Sequence, residues 1–314
     1  IILVVFMFPG CASHEQVRKD SPAEMETFEI VQAAQKTPGD IRGVEVNKES
    51  EPDVRIKIEE LKKKLLVILV PGEWFDEQIH HDTFQFHPHI GNYFRRAAER
   101  QIDHEKKYDV SWYFALINVD ARIEKGKTFI EKHISTFEKA EARHGIDKEL
   151  IAAIIGIETT FADHLQRGKF YAFNSLVSQY LFTSRKKFAV REIASLYKFS
   201  QITGQQPQYF TSSYAGAIGW GQFIPSSLLA YFIDTDGIDN DIDPFSIEDT
   251  IISVENYLYK NNLTGKNIHD YDSKYKAVFA YNHSDVYVKA VLYIYDGLRD
   301  YFRLPRPEAA AKAE

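Results

Sequence analysis

One cysteine, Cys11, in 314 residues excludes an intrachain disulfide framework. The formal charge of −7 leaves no basic footprint, so nucleic acid is excluded as the main partner. No stretch approaches the roughly 20 apolar residues that span a bilayer. Four histidines, His80, His81, His87 and His89, lie close together but lack HExxH spacing and companion cysteines. They read as a solvated or locally bonded loop rather than a metal site. Gly216, Gly219 and Gly221 follow no GxGxxG spacing, and no Gly-Lys-Ser/Thr comes after them, so this is no phosphate loop. What remains is an ordinary globular composition, 44% hydrophobic and 26% charged, in a chain with ample length for a large core.

The segment from Gly145 to Phe161, GIDKELIAAIIGIETTF, organises the chain. Ile146, Leu150, Ala153, Ile154, Ile157 and Phe161 follow the spacing of a buried amphipathic helix. Gly145 breaks the chain before it, and Asp147 is placed to cap its N-terminus. Glu158 interrupts the pattern, on or beside the apolar face. Poor solvation raises the pKa of a carboxyl there, and the negative end of the helix dipole disfavours a second negative charge. A protonated Glu in an apolar cleft is what a general acid for glycosidic cleavage needs. On the helix alone, a Glu at the helix edge that reaches water is the favoured reading.

Downstream, Ser213 to Ser227 reads SYAGAIGWGQFIPSS. Its glycines allow tight turns. Trp220 and Phe223 offer flat faces for sugar stacking, Gln222 offers a donor and an acceptor, and Pro225 suits the first turn of a helix. Taken with GIDKELIAAIIGIET, this segment resembles the lytic murein transglycosylases of the membrane-bound B type, glycoside hydrolase family 103. The resemblance covers roughly Ala121 to Tyr301 and is looser before that.

That resemblance implies a mainly α, lysozyme-like (α+β) fold, with a helical catalytic domain preceded by a helical N-terminal region. It implies cleavage of the β-1,4 bond between N-acetylmuramic acid and N-acetylglucosamine, with Glu158 as acid and then base and a 1,6-anhydro product. By the same resemblance Arg185, in the basic run Ser184 to Phe188, lines the glycan groove, and Ser213, Tyr214 and Gln222 line the cleft opposite the acid. Phe223 joins them as a stacking face. Ala280 to Ser284, AYNHS, matches the family's Tyr-Asn motif. Tyr281 is then a donor toward the acid or substrate, and Asn282 its orienting neighbour. The expected partner is peptidoglycan glycan strands. A hydrolase of the same fold and a non-catalytic peptidoglycan-binding lipoprotein are the other classes left open.

Ile1 to Gly10, IILVVFMFPG, resembles the apolar core of a secretory signal, and Cys11 follows where a bacterial lipoprotein receives lipid. The expectation is a lipid anchor to a membrane, in the periplasmic face of a bacterial cell envelope, by analogy the outer membrane. Residues 1–11 are then a signal remnant and 12–64 a polar, disordered tether, helical in its last part from Asp53 to Lys64. Residues 65–120 form the N-terminal helical region, 121–304 the transglycosylase domain and 305–314 a solvated tail. LLVILV, Leu65 to Val70, is too short to cross a bilayer and reads as core packing. Ala121 to His144 is one long helical pattern, and Asn174–Phe182 and Ser184–Thr203 are two more, the last stopped by Gly204.

No cofactor is expected. Asp234 to Asp243, DTDGIDNDID, suggests a calcium loop through Asp234 and Asp236. It does not fit DxDxDG with a Glu at the twelfth place, so a turn with Asp-capped amides is the favoured reading. Ser246 with Asp249 starts a helix, and Ser284 caps the last one. Hydrolytic glycosidases normally use two carboxyls. The matched motifs supply one, Glu158. Asp163 is rotated roughly 140° from it at 3.6 residues per turn, and Asp285 sits at a helix start.

Overall fold

A computed structural model of the chain describes residues 51–107, 110–164, 168–235 and 242–303. Cys11, most of the tether, Asp236 and the tail at 305–314 lie outside the described residues. Within them the chain is mainly α, as the sequence implies. The helices run α1 (Glu51–Val67), α2 (Gly72–Ile79), α3 (Ile90–Lys107), α4 (Ser111–Ile117), α5 (Val119–Lys132), α6 (Ile134–His144), α7 (Lys148–Thr159), α8 (Ala172–Phe182), α9 (Lys186–Thr203), α10 (Pro225–Tyr231), α11 (Ile247–Lys260), α12 (Tyr271–Tyr281) and α13 (Asp285–Arg303). The one described sheet pairs β1 (Phe170–Tyr171) antiparallel with β2 (Thr211–Ser212), Phe170 opposite Ser212.

Helix α7 is the central post, packed by α5, α6, α11 and α13. Every residue from Glu149 to Thr159 is buried, so the helix has no polar face. The expected stripe is part of an all-round apolar surface, which is how a helix reads when neighbours enclose it. Asp147 stands at the N-cap position, but its side chain makes no cap bond. It turns to α13 instead, where the Tyr295 hydroxyl donates to its Oδ2 at 2.6 Å.

The helix ends at Thr159, two residues before the pattern does. Thr160, Phe161 and Ala162 all take left-handed φ, 55°, 63° and 58°, at a cost of about 1–2 kcal/mol each. The reversal lays the Phe161 ring back on its own helix. A Cβ on Gly156 would sit 2.4 Å from that ring, so only glycine fits there. Phe161 also packs on Phe129, centroids 5.4 Å apart. Arg122 on α5 donates Nε to the Gly156 carbonyl at 3.0 Å, which also accepts from the Thr160 N–H at 3.1 Å, and Nη2 to Thr160 Oγ1 at 3.3 Å, so the reversal is tied to α5.

Other expectations meet the structure unevenly. The pattern from 121 to 144 divides at His133, with neither Gly nor Pro to mark the break. Helix α1 begins at Glu51 and occupies the end of the expected tether. Of LLVILV, only Leu65 and Val70 are buried; the four residues between them are exposed. Ser246 caps α11 by accepting from the Asp249 N–H at 3.1 Å, and Ser284 Oγ accepts from the Tyr287 N–H at 3.3 Å. The core runs without interruption from Val54 in α1 to Leu298 in α13, across the expected boundary at 120/121.

Candidate active site

Glu158 occupies the last turn of α7 with 4% of its surface exposed. Burial pushes its pKa up from 4.5 to about 8, against the opposing pull of a hydrogen bond from Tyr287. That bond is 2.7 Å, from the Tyr287 hydroxyl to Glu158 Oε1. The group is therefore protonated at neutral pH and has one fixed donor ready for its charged form. Burial, and then the charge on Glu158, raise the pKa of Tyr113, Tyr281 and Tyr287. The three tyrosines stay neutral, and they surround the acid from three separate elements.

The turn at Gly219–Gln222 is bolted to the end of α7. Thr159 Oγ1 donates to the Trp220 carbonyl at 2.9 Å. The Trp220 N–H donates to Pro244 O at 3.1 Å, and a Cβ on Gly219 would lie 2.2 Å from that same oxygen. Gly219 also takes φ 75°, so the glycine is needed twice. The Tyr281 hydroxyl donates to the Gly221 carbonyl at 2.5 Å. Tyr281 is thus a donor in the pocket, but to the backbone of this turn rather than to the acid. Asn282 is 7% exposed and its Oδ1 has no hydrogen-bond partner.

Two expected stacking faces are core residues. Trp220 and Phe223 are each 3% exposed. The Trp220 indole N–H donates to Phe245 O at 2.6 Å, with Phe245 and His164 packed edge-on. Phe223 sits among Phe232, Tyr257 and Tyr281. An aromatic ring closed in on this many sides offers no sugar platform. Gln222 adopts φ 53° and turns its Nε2 onto the Gly219 carbonyl at 2.9 Å, so that donor holds the turn.

Arg185, Ser213 and Tyr214 gather in a second group. The Arg185 guanidinium lies 4.1 Å from the Phe188 ring centre and 4.8 Å from that of Phe94, and its Nε donates to Gln179 Oε1 at 3.1 Å. Burial lowers its pKa. Gln179 Nε2 in turn donates to the Tyr214 carbonyl at 3.2 Å. The Tyr214 ring stacks on Tyr93 at 5.2 Å. Ser213 Oγ accepts from the N–H groups of Ala215 and Ala217, each at 3.3 Å, and so fixes the turn that carries Tyr214.

Sequence reading missed Tyr287, Tyr113 and Tyr93. Tyr287 lies six residues past Tyr281, inside α13, where an aromatic reads as core. Tyr113 belongs to the region where the resemblance is loose. The one available signal for Tyr287 was the Ser284 cap, which fixes Tyr287 in the first turn of α13.

Two of the four histidines are locally bonded: His80 Nδ1 lies 2.7 Å from Asp76 O and His81 Nδ1 2.9 Å from Thr83 Oγ1; the His87 backbone N–H instead donates to distant Ser178 Oγ at 2.9 Å. In the 234–243 segment, buried Asp249 accepts from the Thr235 N–H at 3.1 Å and its hydroxyl at 2.6 Å, and from the Asp243 N–H at 3.5 Å. Asp243 accepts from the Phe245 N–H at 2.8 Å. Both described ends of the segment are thus Asp-capped. Among the described residues one trio, Glu141, Asp147 and Glu149, is close enough to share a metal. Arg303 already occupies it: its guanidinium reaches Glu149 at 2.9 Å and Asp147 at 3.2 Å, and also pairs with Glu141.

The family model of the Transglycosylase SLT domain matches residues 75–269, reaching well upstream of Ala121. The chain is 29% identical over 136 residues to membrane-bound lytic murein transglycosylase B of Escherichia coli K12. That alignment takes in 43% of this chain and 37% of the relative, so it spans little more than a third of the relative's length. The fold is similar to that of soluble lytic transglycosylase SltB1 from Pseudomonas aeruginosa, with TM-score 0.66 and 22% identity over 80% of this chain and 99% of the other. SltB3 from the same organism, in complex with NAG-anhNAM-pentapeptide, gives TM-score 0.64 and 18% identity over 78% and 79%. With well over half of its length matched by that model, the chain belongs to the transglycosylase SLT domain family.

Proposed function

We propose that this chain is a lytic transglycosylase that cleaves the β-1,4 bond between N-acetylmuramic acid and N-acetylglucosamine in peptidoglycan. The observation that carries the reading is Glu158: a buried carboxyl with its pKa near 8, one tyrosine donor, and no second carboxylate among the groups that set its titration. Glu158 gives its proton to the bridging oxygen as the C1–O bond breaks. The carboxylate left behind is held by the Tyr287 hydroxyl. It then takes the proton of the muramic acid's own C6 hydroxyl as that oxygen bonds to C1. The proton count closes, and no water is consumed.

An internal hydroxyl already near C1 has the advantage of proximity over a water from bulk. Asp285, one candidate second acid, is exposed and accepts a bond from the Tyr275 hydroxyl. The SltB3 complex, with its anhydro-muramyl ligand, supports the same product class. The Arg185–Tyr214 group supports a groove that continues away from the acid, with Arg185 facing peptide carboxylates. The name of the E. coli relative supports a place in the bacterial cell envelope, with Cys11 as the lipid-bearing residue.

Mass analysis of fragments from purified murein sacculi tests the chemistry. The expected products end in 1,6-anhydro-muramic acid, one water lighter than lysozyme products and lacking a reducing end. Dominant reducing-end muramic acid makes the enzyme a hydrolase. Fractionation of a full-length Cys11→Ser chain tests the anchor, which is lost from the membrane fraction if Cys11 carries it.

A further inference from the structure

The end of α1 carries four consecutive aliphatic side chains in solvent. Leu66, Val67, Ile68 and Leu69 are 49%, 81%, 39% and 86% exposed. The other large apolar residues on the described surface stand singly, which is ordinary; a contiguous run is not. The run is well built. Leu65 and Val70 root it in the core at 1% exposure each. The N–H groups of Ile68 and Val70 both donate to the Leu65 carbonyl, at 3.1 and 3.0 Å. Leu69 closes the turn with φ 66°, a helix-end position that favours glycine or asparagine. A leucine there gains neither backbone ease nor packing.

The turn next to the run is basic, with the exposed acids Glu59 and Glu60 one turn further back on α1. Leu61 to Gly72, LKKKLLVILVPG, holds three lysines and no acid. Lys62 is tied to Asp76 at 2.5 Å, while Lys63 and Lys64 are exposed on the turn just before the apolar residues. The nearest acid that follows is Glu73, on the first turn of α2. The tip is an exposed turn with purely aliphatic side chains. Protein interfaces instead concentrate their affinity in Trp, Tyr and Arg seated in pockets. Aliphatic side chains flanked by lysines suit the boundary between anionic headgroups and acyl chains. No described helix is long and apolar enough to cross a membrane, so the contact would be interfacial.

We propose that residues 66–69 form a membrane-inserting tip, seated on an anionic phospholipid surface with Lys63 and Lys64 at the headgroups. The proposal goes beyond the glycan reading and does not depend on it. Nor does it need Cys11 to be lipidated.

Because Cys11 is the sole cysteine, the chain allows one label at a time. In a Cys11→Ser background, Val67→Cys, Leu69→Cys and, as an exposed control on α12, Asp272→Cys each carry a nitrobenzoxadiazole label. Phosphatidylglycerol–phosphatidylcholine vesicles should blue-shift and brighten the labels at 67 and 69 and leave 272 unchanged. Neutralising Lys63 and Lys64 to Gln should raise the lipid concentration for half-response, by about five-fold per lysine. A label at 67 that keeps its aqueous emission with vesicles overturns the proposal. So does emission already blue-shifted without lipid, because the tip is then covered by protein; concentration dependence of that shift would assign the cover to a second copy rather than to residues 1–50. Equal response to purely zwitterionic vesicles overturns the role given to the lysines.

Discussion

The two ends of α7 treat buried carboxylates in opposite ways. At the N-terminal end, Asp147 and Glu149 are 4% and 0% exposed and are met by cations: Arg303 bonds Glu149 through Nε and Nη2, Lys148 lies 3.5 Å from Glu149, and Arg299 lies 3.9 Å from Asp147. Burial pulls the Arg303 guanidinium down, but its bonds to Glu149 and Glu141 outweigh that and hold its pKa above the usual arginine value. At the C-terminal end Glu158 is as deeply buried, and among the described side chains its one hydrogen-bond partner is a tyrosine. Arg122, the cation at that end, is engaged with Gly156 O and Thr160 Oγ1. The short stretch from Asp147 to Glu158 therefore holds acids whose charge is compensated and an acid that keeps its proton. Burial alone does not make a general acid; burial without a cation does.

The largest test of that contrast is Glu158→Gln. The amide keeps the shape but has no proton to give, and general acid–base roles are worth about 10²–10⁴-fold in rate. Turnover of soluble glycan fragments should fall by that factor while fragment binding persists. Near wild-type turnover in a folded variant removes Glu158 from the mechanism. At the other end, Arg303→Met leaves three carboxylates without their shared cation. Arg303 is a third exposed, and Lys148 and Arg299 stay beside the acids, so the cost is about 1.5–3 kcal/mol, read as a lower urea midpoint, with turnover per folded molecule unchanged.

The contrast also has a pH signature. Glu158 is raised in the folded state from 4.5 to about 8, so the folded chain binds the extra proton between those values. Stability from this group is complete below about pH 4.5 and is lost as pH rises through about 8, falling by about 1.4 kcal/mol for each pH unit in between. Glu158→Gln should match the wild type in acid and exceed it by a few kcal/mol near pH 9. Parallel stability curves for the two proteins across pH 5–9 would mean that Glu158 is not held neutral.

How much of this was legible depends on whether a residue's role is set locally. The α7 stripe as far as Ile157, the Ser246 and Ser284 caps, and the Gly145 and Gly204 stops are local, and each is where its spacing puts it. Glu158 stood out because a charge in an apolar pattern is visible without a partner. Roles set by distant contacts were not visible. Asp147 looked like a cap and bonds Tyr295, 148 residues away. Trp220 and Phe223 looked like open platforms until Phe245 and Tyr281 covered them. The His133 break has no sequence mark, and LLVILV reads the same whether its middle is packed or bare.

The smallest expected effect belongs to the only hydrogen bond made to Glu158 among the described side chains. Tyr287→Phe keeps a ring that is 2% exposed and removes one hydroxyl, so folding stability should change little. The lost bond favours the carboxylate over the acid, because a donor stabilises the charged form more. Its removal leaves burial unopposed and raises the Glu158 pKa further. The alkaline limb of the rate profile should therefore move up, not down. The carboxylate formed once the proton has gone to the leaving oxygen loses a bond worth about 1.5–3 kcal/mol, so kcat should fall about 10- to 100-fold with KM nearly constant. A fall in kcat with an unmoved limb would place Tyr287 on the substrate instead of the acid. No change in either would reduce it to packing, and Glu158 would then have no partner that distinguishes its charged state.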